Sequence, residues 1–213
     1  MSTIAICIPS SGAMPASFVF DLTRMMTWTA ANTPLDLRLF IVQGGIIHMQ
    51  RNSLLKQALE TDATHVLWLD TDMRFPRETL VHLLSRARPF VAANYVTREV
   101  PVQPVTHADD SGSRRVFTTP ESEGVESVHA TGMGLVLVDT AAVRRLTQPY
   151  FDTPWTESSL EHAGEDIYFC EKLKAAGVDI LVDHDLSKHV SHVGQFEYRH
   201  AHAQIAEGTD ATE

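Results

Sequence analysis

Four short apolar runs dominate the first 96 residues: Thr3–Pro9, Leu35–Val42, Thr64–Leu69 and Phe90–Val96. Short runs that end abruptly, at Pro9, before Gly44-Gly45 and at Asp70, read as strands buried on both faces. Between them the apolar residues recur at helical spacing. Phe18, Leu22, Met25, Met26 and Thr29 follow Pro15; Arg51, Leu54, Leu55, Ala58 and Leu59 form a second set; Leu80, Leu83, Leu84 and Ala87 follow Pro76. This alternation predicts an α/β fold with a mostly parallel central sheet flanked by helices.

After Val96 the texture changes. Pro101, Pro104, the run Asp109-Asp110-Ser111-Gly112-Ser113 and Pro120 predict hairpins and loops in place of crossover helices. Thr131-Gly132-Met133-Gly134 leads into a buried strand over 135–138, and a short helix covers 141–146. A last helix runs from near Glu165 to Gly177, and 178–182 forms a closing strand. With 213 residues and no repeat or linker, the chain reads as one domain over 1–202 with a polar, disordered tail over 203–213.

A net charge of −10 argues against a broad electropositive face for nucleic acid or anionic lipid. Arg114-Arg115 and Arg144-Arg145 are short pairs expected in solvent, and His184, His200 and His202 are expected at the surface. No apolar stretch reaches the roughly 18–20 residues of a membrane span, and Met1-Ser2-Thr3 lacks the basic start of a signal peptide. A cytoplasmic protein is expected. Cys7 and Cys170 sit in apolar patterns and read as buried small hydrophobes, neither a disulfide nor a zinc pair.

Three pieces carry chemistry. The run Val66-Leu67-Trp68-Leu69 ends in Asp70-Thr71-Asp72. Two close carboxylates repel unless a cation lies between them, and oxygen ligands at a strand end suit Mg²⁺ or Mn²⁺ that still carries substrate phosphates. A turn at Asp70 and a helix cap at Asp72 form the plain structural account. Next, Gly164-Glu165-Asp166 puts two acids at a helix start, where they also offset the macrodipole. Last, His189-Val190-Ser191-His192-Val193-Gly194 supplies imidazoles, which suit Mn²⁺ better than Mg²⁺.

Taken in order, the strand Ile4–Pro9, Arg51-Asn52 at the opening of the second helix, Leu67-Trp68-Leu69-Asp70-Thr71-Asp72, Gly132-Met133-Gly134, Gly164-Glu165-Asp166 and His192-Val193-Gly194 form a recognisable set. It resembles the nucleotide-diphospho-sugar glycosyltransferases of the GT-A fold, the family 2-like enzymes in particular. The resemblance implies a GT-A (Rossmann-like) single domain with a small antiparallel acceptor-side extension. Residues 1–96 would be the nucleotide-binding half and 97–202 the acceptor half. It implies a metal-dependent glycosyltransferase that moves a hexosyl or pentosyl group from a nucleoside-diphosphate-sugar, a UDP-sugar foremost, to an acceptor hydroxyl with inversion. Mn²⁺ or Mg²⁺ would be held by Asp72 with Asp70 and His192, His189 being the alternative to His192. Pro9, Ser10, Asn52 and Thr71 would line the nucleotide pocket, Asp70 would hold the ribose or support the metal, and Arg51 would lie at the base or the diphosphate. Asp166 would take the acceptor's proton and Glu165 would orient it. Trp155 would stack on a sugar or base, or simply anchor its loop.

Family members carry an acid at the end of the second strand to read the nucleobase; here that strand ends Val42-Gln43-Gly44-Gly45, which leaves the base open. The Gln/Arg-x-x-Arg-Trp motif of processive synthases is absent, so a small transferase adding single sugars is expected. A sugar-phosphate nucleotidyltransferase is disfavoured, because Ser10-Ser11-Gly12-Ala13-Met14 is neither glycine-rich nor basic. A catalytically inactive nucleotide-sugar-binding protein on the same fold is the other alternative. The acceptor is expected to be soluble, with saccharide, protein, small metabolite and hydroxymethylated DNA all open, and no membrane partner is expected.

Overall fold

A computed structural model describes residues 2–99, 101–156 and 161–194. The tail expected over 203–213 lies outside the described residues, as do His200 and His202. In chain order the elements begin β1 (Thr3–Ser10), α1 (Ala16–Asn32), β2 (Asp36–Gln43), α2 (Ile47–Leu59), β3 (His65–Leu69), β4 (Met73–Arg74), α3 (Thr79–Ser85) and β5 (Phe90–Ala93). They continue with β6 (Val125–Val128), β7 (Leu135–Asp139), α4 (Thr140–Val143), β8 (Trp155–Thr156), β9 (Glu161–His162), α5 (Glu165–Ala175), β10 (Ile180–Asp183), α6 (His184–Ser187) and β11 (Ser191–His192).

Every residue of β1 is buried, which requires cover on both faces of the sheet. Alternate residues point to opposite sides. Ile4, Ile6, Ile8, Leu67 and Leu69 pack with Phe18, Leu22 and Met25 of α1 and Leu80 and Leu83 of α3. Ala5, Cys7, Val66 and Trp68 meet Leu54, Leu55 and Ala58 of α2 and Phe169, Cys170 and Leu173 of α5. Register is set here by volume: a one-residue slip of β1 would exchange Ile4, Ile6 and Ile8 for the smaller Ala5 and Cys7 between two close-packed faces, overfilling one and leaving cavities in the other. Cys7 and Cys170 are both buried and free, as expected.

The seven-stranded sheet has the order β2-β1-β3-β7-β5-β10-β6. β2, β1 and β3 run parallel, as do β5 and β10, while β7 lies antiparallel between β3 and β5 and β6 runs antiparallel to β10. The sheet is therefore mainly parallel, with reversed strands at its centre and one edge. The central position of β7 is what matters for the site. Because β7 runs against β3, its first residue Leu135 lies beside Leu69, the last of β3. The Gly132-Met133-Gly134 loop is thereby carried to the edge where the acids stand, and Asp70 N donates to Gly134 O at 2.9 Å.

Several boundaries differ from the sequence expectation. α2 starts at Ile47, so Arg51-Asn52 sits in its second turn rather than at its opening. Pro76 begins a turn, Thr79 N donating to Pro76 O at 3.2 Å, and α3 itself starts at Thr79. β5 stops at Ala93, and Val96 forms only an isolated bridge with Pro104. The strand expected to close the sheet, β10, is an interior strand, and α6 follows it as a further helical turn. His184 is buried, not at the surface, because its ring bridges Thr118 Oγ1 and Glu126 Oε2, each at 2.9 Å. Arg115 is half-buried against His107 Nε2 at 2.6 Å. Among the described residues no helix is long and apolar enough to cross a membrane.

Candidate active site

The site forms at the carboxyl end of β3, where ligands bind in open α/β sheets. Asp70, Thr71 and Asp72 turn away from the strand, and the two-residue β4 follows at once. β4 pairs antiparallel with β11, with His192 opposite Met73 and Ser191 opposite Arg74. Val193 N also donates to Asp72 O at 2.7 Å. This backbone ladder brings His192 Nε2 to 3.2 Å from Asp72 Oδ2 across 120 residues of chain. His189, by contrast, is exposed. The other ring nitrogen of His192, Nδ1, lies 2.9 Å from Val96 O, so it carries the proton and donates to that carbonyl.

Arg98 reaches the same carboxylate, its Nη1 2.8 Å from Asp72 Oδ2. Burial opposes ionisation of Asp72, but the hydrogen bond from His192 and the charges of His192 and Arg98 prevail, holding its carboxyl below the usual range. His192 responds in kind. Burial works against its charged form, yet Asp72 and the Val96 carbonyl outweigh it and raise the imidazole.

Behind this surface lies a buried cation. Arg51 is 2% exposed, and its Nη2 donates to both oxygens of Asp70, at 3.0 and 3.1 Å. Its Nε donates to Glu165 Oε1 at 3.2 Å, and the guanidinium sits 5.6 Å from the Trp68 ring centre and 6.0 Å from that of Phe151. Arg51, expected at the base or the diphosphate, is turned inward and ties the end of β3 to the start of α5. Asn52 is also turned away from the cleft. Its Nδ2 donates to His48 O and Phe151 O, and its Oδ1 accepts from Tyr150 N and Phe151 N. A helix that starts at Ile47 directs both residues toward the 150–151 loop and the interior.

Glu165 and Asp166 occupy the first turn of α5, as expected. Burial, joined by the charge of Glu165, pushes the Asp166 carboxyl up to about 6. Its Oδ1 accepts from Ile167 N at 2.8 Å, which orients it. Tyr95, just past the end of β5, completes the wall. Gly134 N donates to its hydroxyl at 3.1 Å, and its ring stands edge-on to His192 with centres 5.1 Å apart. A Cβ on Gly132 would lie 2.4 Å from the Tyr95 hydroxyl, and one on Gly134 2.8 Å from it. The spacing of those two glycines is the imprint of this ring.

A cleft of 270 Å³ opens over Asp70 and Asp72, lined also by Pro9, Ser10, Ser11, Gly44, Gly45, Ile47, Gln50 and Thr71; Glu165 and Asp166 do not line it. Pro9, Ser10, Asp70 and Thr71 thus line one cleft, with both oxygens of Asp70 engaged by Arg51. Gln50 shapes the cleft floor: its Nε2 donates to Ser10 O at 2.7 Å, Gly44 O at 3.1 Å and Val42 O at 3.2 Å. A second cleft, of 490 Å³, shares Tyr95 and His192. A larger cavity of 620 Å³, lined by Asn52, Lys56, Pro149 and Tyr150 among others, contains no acid or imidazole, so chemistry and not size selects the site. Trp155 lies 54% exposed on the β8–β9 hairpin.

Arg98, Tyr95 and Gln50 escape sequence reasoning. Each acts through a partner more than 20 residues away, and none stands in a run with a chemical pattern of its own.

Among the described residues no group of three or more His, Cys, Asp or Glu side chains is placed to cage a metal. The donor set still fits a divalent cation of another kind. Asp72 and His192 supply two ligands, the number typical where substrate phosphates and water fill the remaining positions. The Nδ1 hydrogen bond to Val96 O leaves Nε2 as the liganding nitrogen. The carboxylates of Asp70, Glu165 and Asp166 gather around the buried guanidinium of Arg51, three acids to one cation.

No family model matches this sequence, and no curated protein matches it. Solved structures do match in fold. A197 from STIV is 15% identical over 94% of this chain and 100% of its own, with a TM-score of 0.55. S. aureus TarS 1–349 in complex with UDP-GlcNAc is 14% identical over 96% of this chain and 62% of its own, with a TM-score of 0.53. GalNAc-T7 with UDP, GalNAc and Mn²⁺ is 12% identical over 92% of this chain and 44% of its own, with a TM-score of 0.59. The chain spans less than two thirds of TarS 1–349 and of GalNAc-T7. The likeness is one of fold: the protein has the GT-A glycosyltransferase architecture.

Proposed function

We propose that the protein is a metal-dependent glycosyltransferase that moves a sugar from a nucleoside-diphosphate-sugar to an acceptor hydroxyl with inversion. The observation that carries this reading is the meeting of Asp72 and His192, 3.2 Å apart, on the cleft rim, with Asp166 raised to about 6 on α5. Residues 1–96 form the nucleotide-binding half and 97–202 the acceptor half, from which His192 reaches back to Asp72. The nucleoside lies in the cleft of Pro9, Ser10, Gly44 and Thr71. Asp72 and His192 would hold Mn²⁺ or Mg²⁺ at the cleft, beside the donor's diphosphate. When bound, such a cation neutralises the charge that develops on the departing diphosphate. Asp166 accepts the proton of the acceptor hydroxyl as its oxygen attacks the anomeric carbon and the bond to the diphosphate breaks. A carboxyl raised to about 6 is ionised at neutral pH yet more basic than an ordinary aspartate. Glu165 and Asp70, both fixed by Arg51, hold the strand end and the helix start in register. Other GT-A structures were solved with UDP-GlcNAc and with UDP and Mn²⁺, which supports a nucleotide-sugar donor.

Calorimetric titration with UDP, GDP, TDP and CDP, with and without Mn²⁺, tests the reading. One nucleotide is expected to bind in a Mn²⁺-dependent manner and to lose that dependence in Asp72→Ala. Failure of all four to bind under any condition would leave Asp70-Thr71-Asp72 as a turn and nothing more.

A further inference from the structure

Asp72 Oδ2 is met by two cationic donors, His192 Nε2 at 3.2 Å and Arg98 Nη1 at 2.8 Å. This is the oxygen that a divalent cation on the cleft rim needs. An imidazole can become neutral and offer Nε2 as a ligand, but a guanidinium keeps its charge at every relevant pH. Arg98 is therefore the group that competes with the metal.

Resting on the transferase reading, we propose that Arg98 serves two partners in turn: it neutralises Asp72 in the free protein and, once a divalent cation takes Asp72, turns its guanidinium onto the donor's diphosphate. The Arg98 side chain is 52% exposed, so leaving Asp72 costs little desolvation. Its stem runs past Gly194: Cγ and Cδ lie 3.3 Å from where a Cβ on that glycine would sit. A guanidinium already 2.8 Å from Asp72 Oδ2 is within a side-chain rotation of oxygens bound there, and its planar fork matches phosphate. Gly194 leaves room for that stem: a side chain there would crowd it by a few tenths of an ångström.

Two titrations on the folded full chain test this, with Arg98→Ala and Arg98→Lys compared with the unmodified protein. In the first, Mn²⁺ alone is the probe. Arg98→Ala is expected to bind it about two- to fivefold more tightly, the size of effect of a partly exposed ion pair. In the second, UDP is titrated at saturating Mn²⁺. Arg98→Ala is expected to bind it about ten- to a hundredfold more weakly, as loss of a charged hydrogen bond predicts. Arg98→Lys, which keeps the charge without the fork, is expected between the two on UDP and near the unmodified protein on Mn²⁺. Opposite movement of the two affinities is the signature. Unchanged Mn²⁺ affinity, or UDP affinity that holds or rises, overturns the proposal. If the unmodified protein binds none of UDP, GDP, TDP or CDP with Mn²⁺, the transferase reading falls and the phosphate role of Arg98 falls with it; if one binds and Arg98→Ala leaves both affinities alone, only the role of Arg98 is lost.

Discussion

Asp166 combines burial, which raises it to about 6, with a direction set by Ile167 N at 2.8 Å. The raised value has a definite consequence for rate. Below about 6 the carboxyl is protonated and cannot accept the acceptor's proton, so transfer is expected to decline as pH falls through that value and to level off above it. Asp166→Asn is expected to lower transfer by about 10²–10⁴-fold while leaving Mn²⁺-dependent nucleotide binding in place. A pH–rate profile and the same titration on the variant check both halves; a profile with no acidic limb near 6 would remove Asp166 from the reaction. At this scale Asp70 and Asp72 were legible because carboxylates are out of place at the end of a buried strand, whereas Glu165 and Asp166, which suit a helix start on structural grounds alone, stood out only as part of the ordered set of motifs. Arg51 was legible as important and misplaced in role. A guanidinium suits phosphate and carboxylate equally, and only burial tells which it meets.

Between elements, Arg51 is the joint. It joins β3 to α5 through Asp70 and Glu165 while lying against Trp68 and Phe151. Removing one partner of a buried ionic group leaves the others uncompensated, a cost of about 3–5 kcal/mol. Arg51→Met is expected to lose stability of that order in urea unfolding, and Arg51→Met combined with Asp70→Asn and Glu165→Gln to recover most of it. A single-variant loss under about 1 kcal/mol would mean that water reaches the pair and the joint is weak. The runs behind β1, β3 and β5 carry the continuous apolar signature of two-face burial, but β2, read the same way, is an edge strand that leaves Leu39 and Ile41 exposed: an apolar run shows a strand without showing how many of its faces are covered. β4 and β11 left no such run. A two-residue strand has no periodicity, and its pairing is specified by backbone hydrogen bonds, which every residue but proline can make. The position of β7 was hidden for another reason: its apolar run shows burial but not which neighbours bury it.

At the scale of the molecule, the site is assembled from both ends of the described chain: Pro9 and Ser10 from the first strand, Asp70 to Asp72 from the middle, and Asp166 and His192 from the last elements. A ligand that bridges such distant segments binds only the folded state, so its affinity adds directly to stability. At one hundred times its dissociation constant, a nucleotide bound with Mn²⁺ contributes about 2.7 kcal/mol. For a chain of this size that corresponds to a rise in Tm of roughly 5–10 °C. His192→Ala separates the ligand's share from the fold's. β11 pairs through backbone groups, and Val193 N reaches Asp72 O without the imidazole, so the variant is expected to keep the ligand-free Tm within a few degrees. The additional rise that Mn²⁺ gives over nucleotide alone is expected to disappear, because Asp72 alone holds the cation poorly. A thermal melt of both proteins, with nucleotide alone and with nucleotide plus Mn²⁺, decides the matter. If His192→Ala retains the full Mn²⁺-dependent rise, the cation is held elsewhere, and the β4–β11 ladder brings the C-terminal segment to the cleft for some purpose other than metal binding.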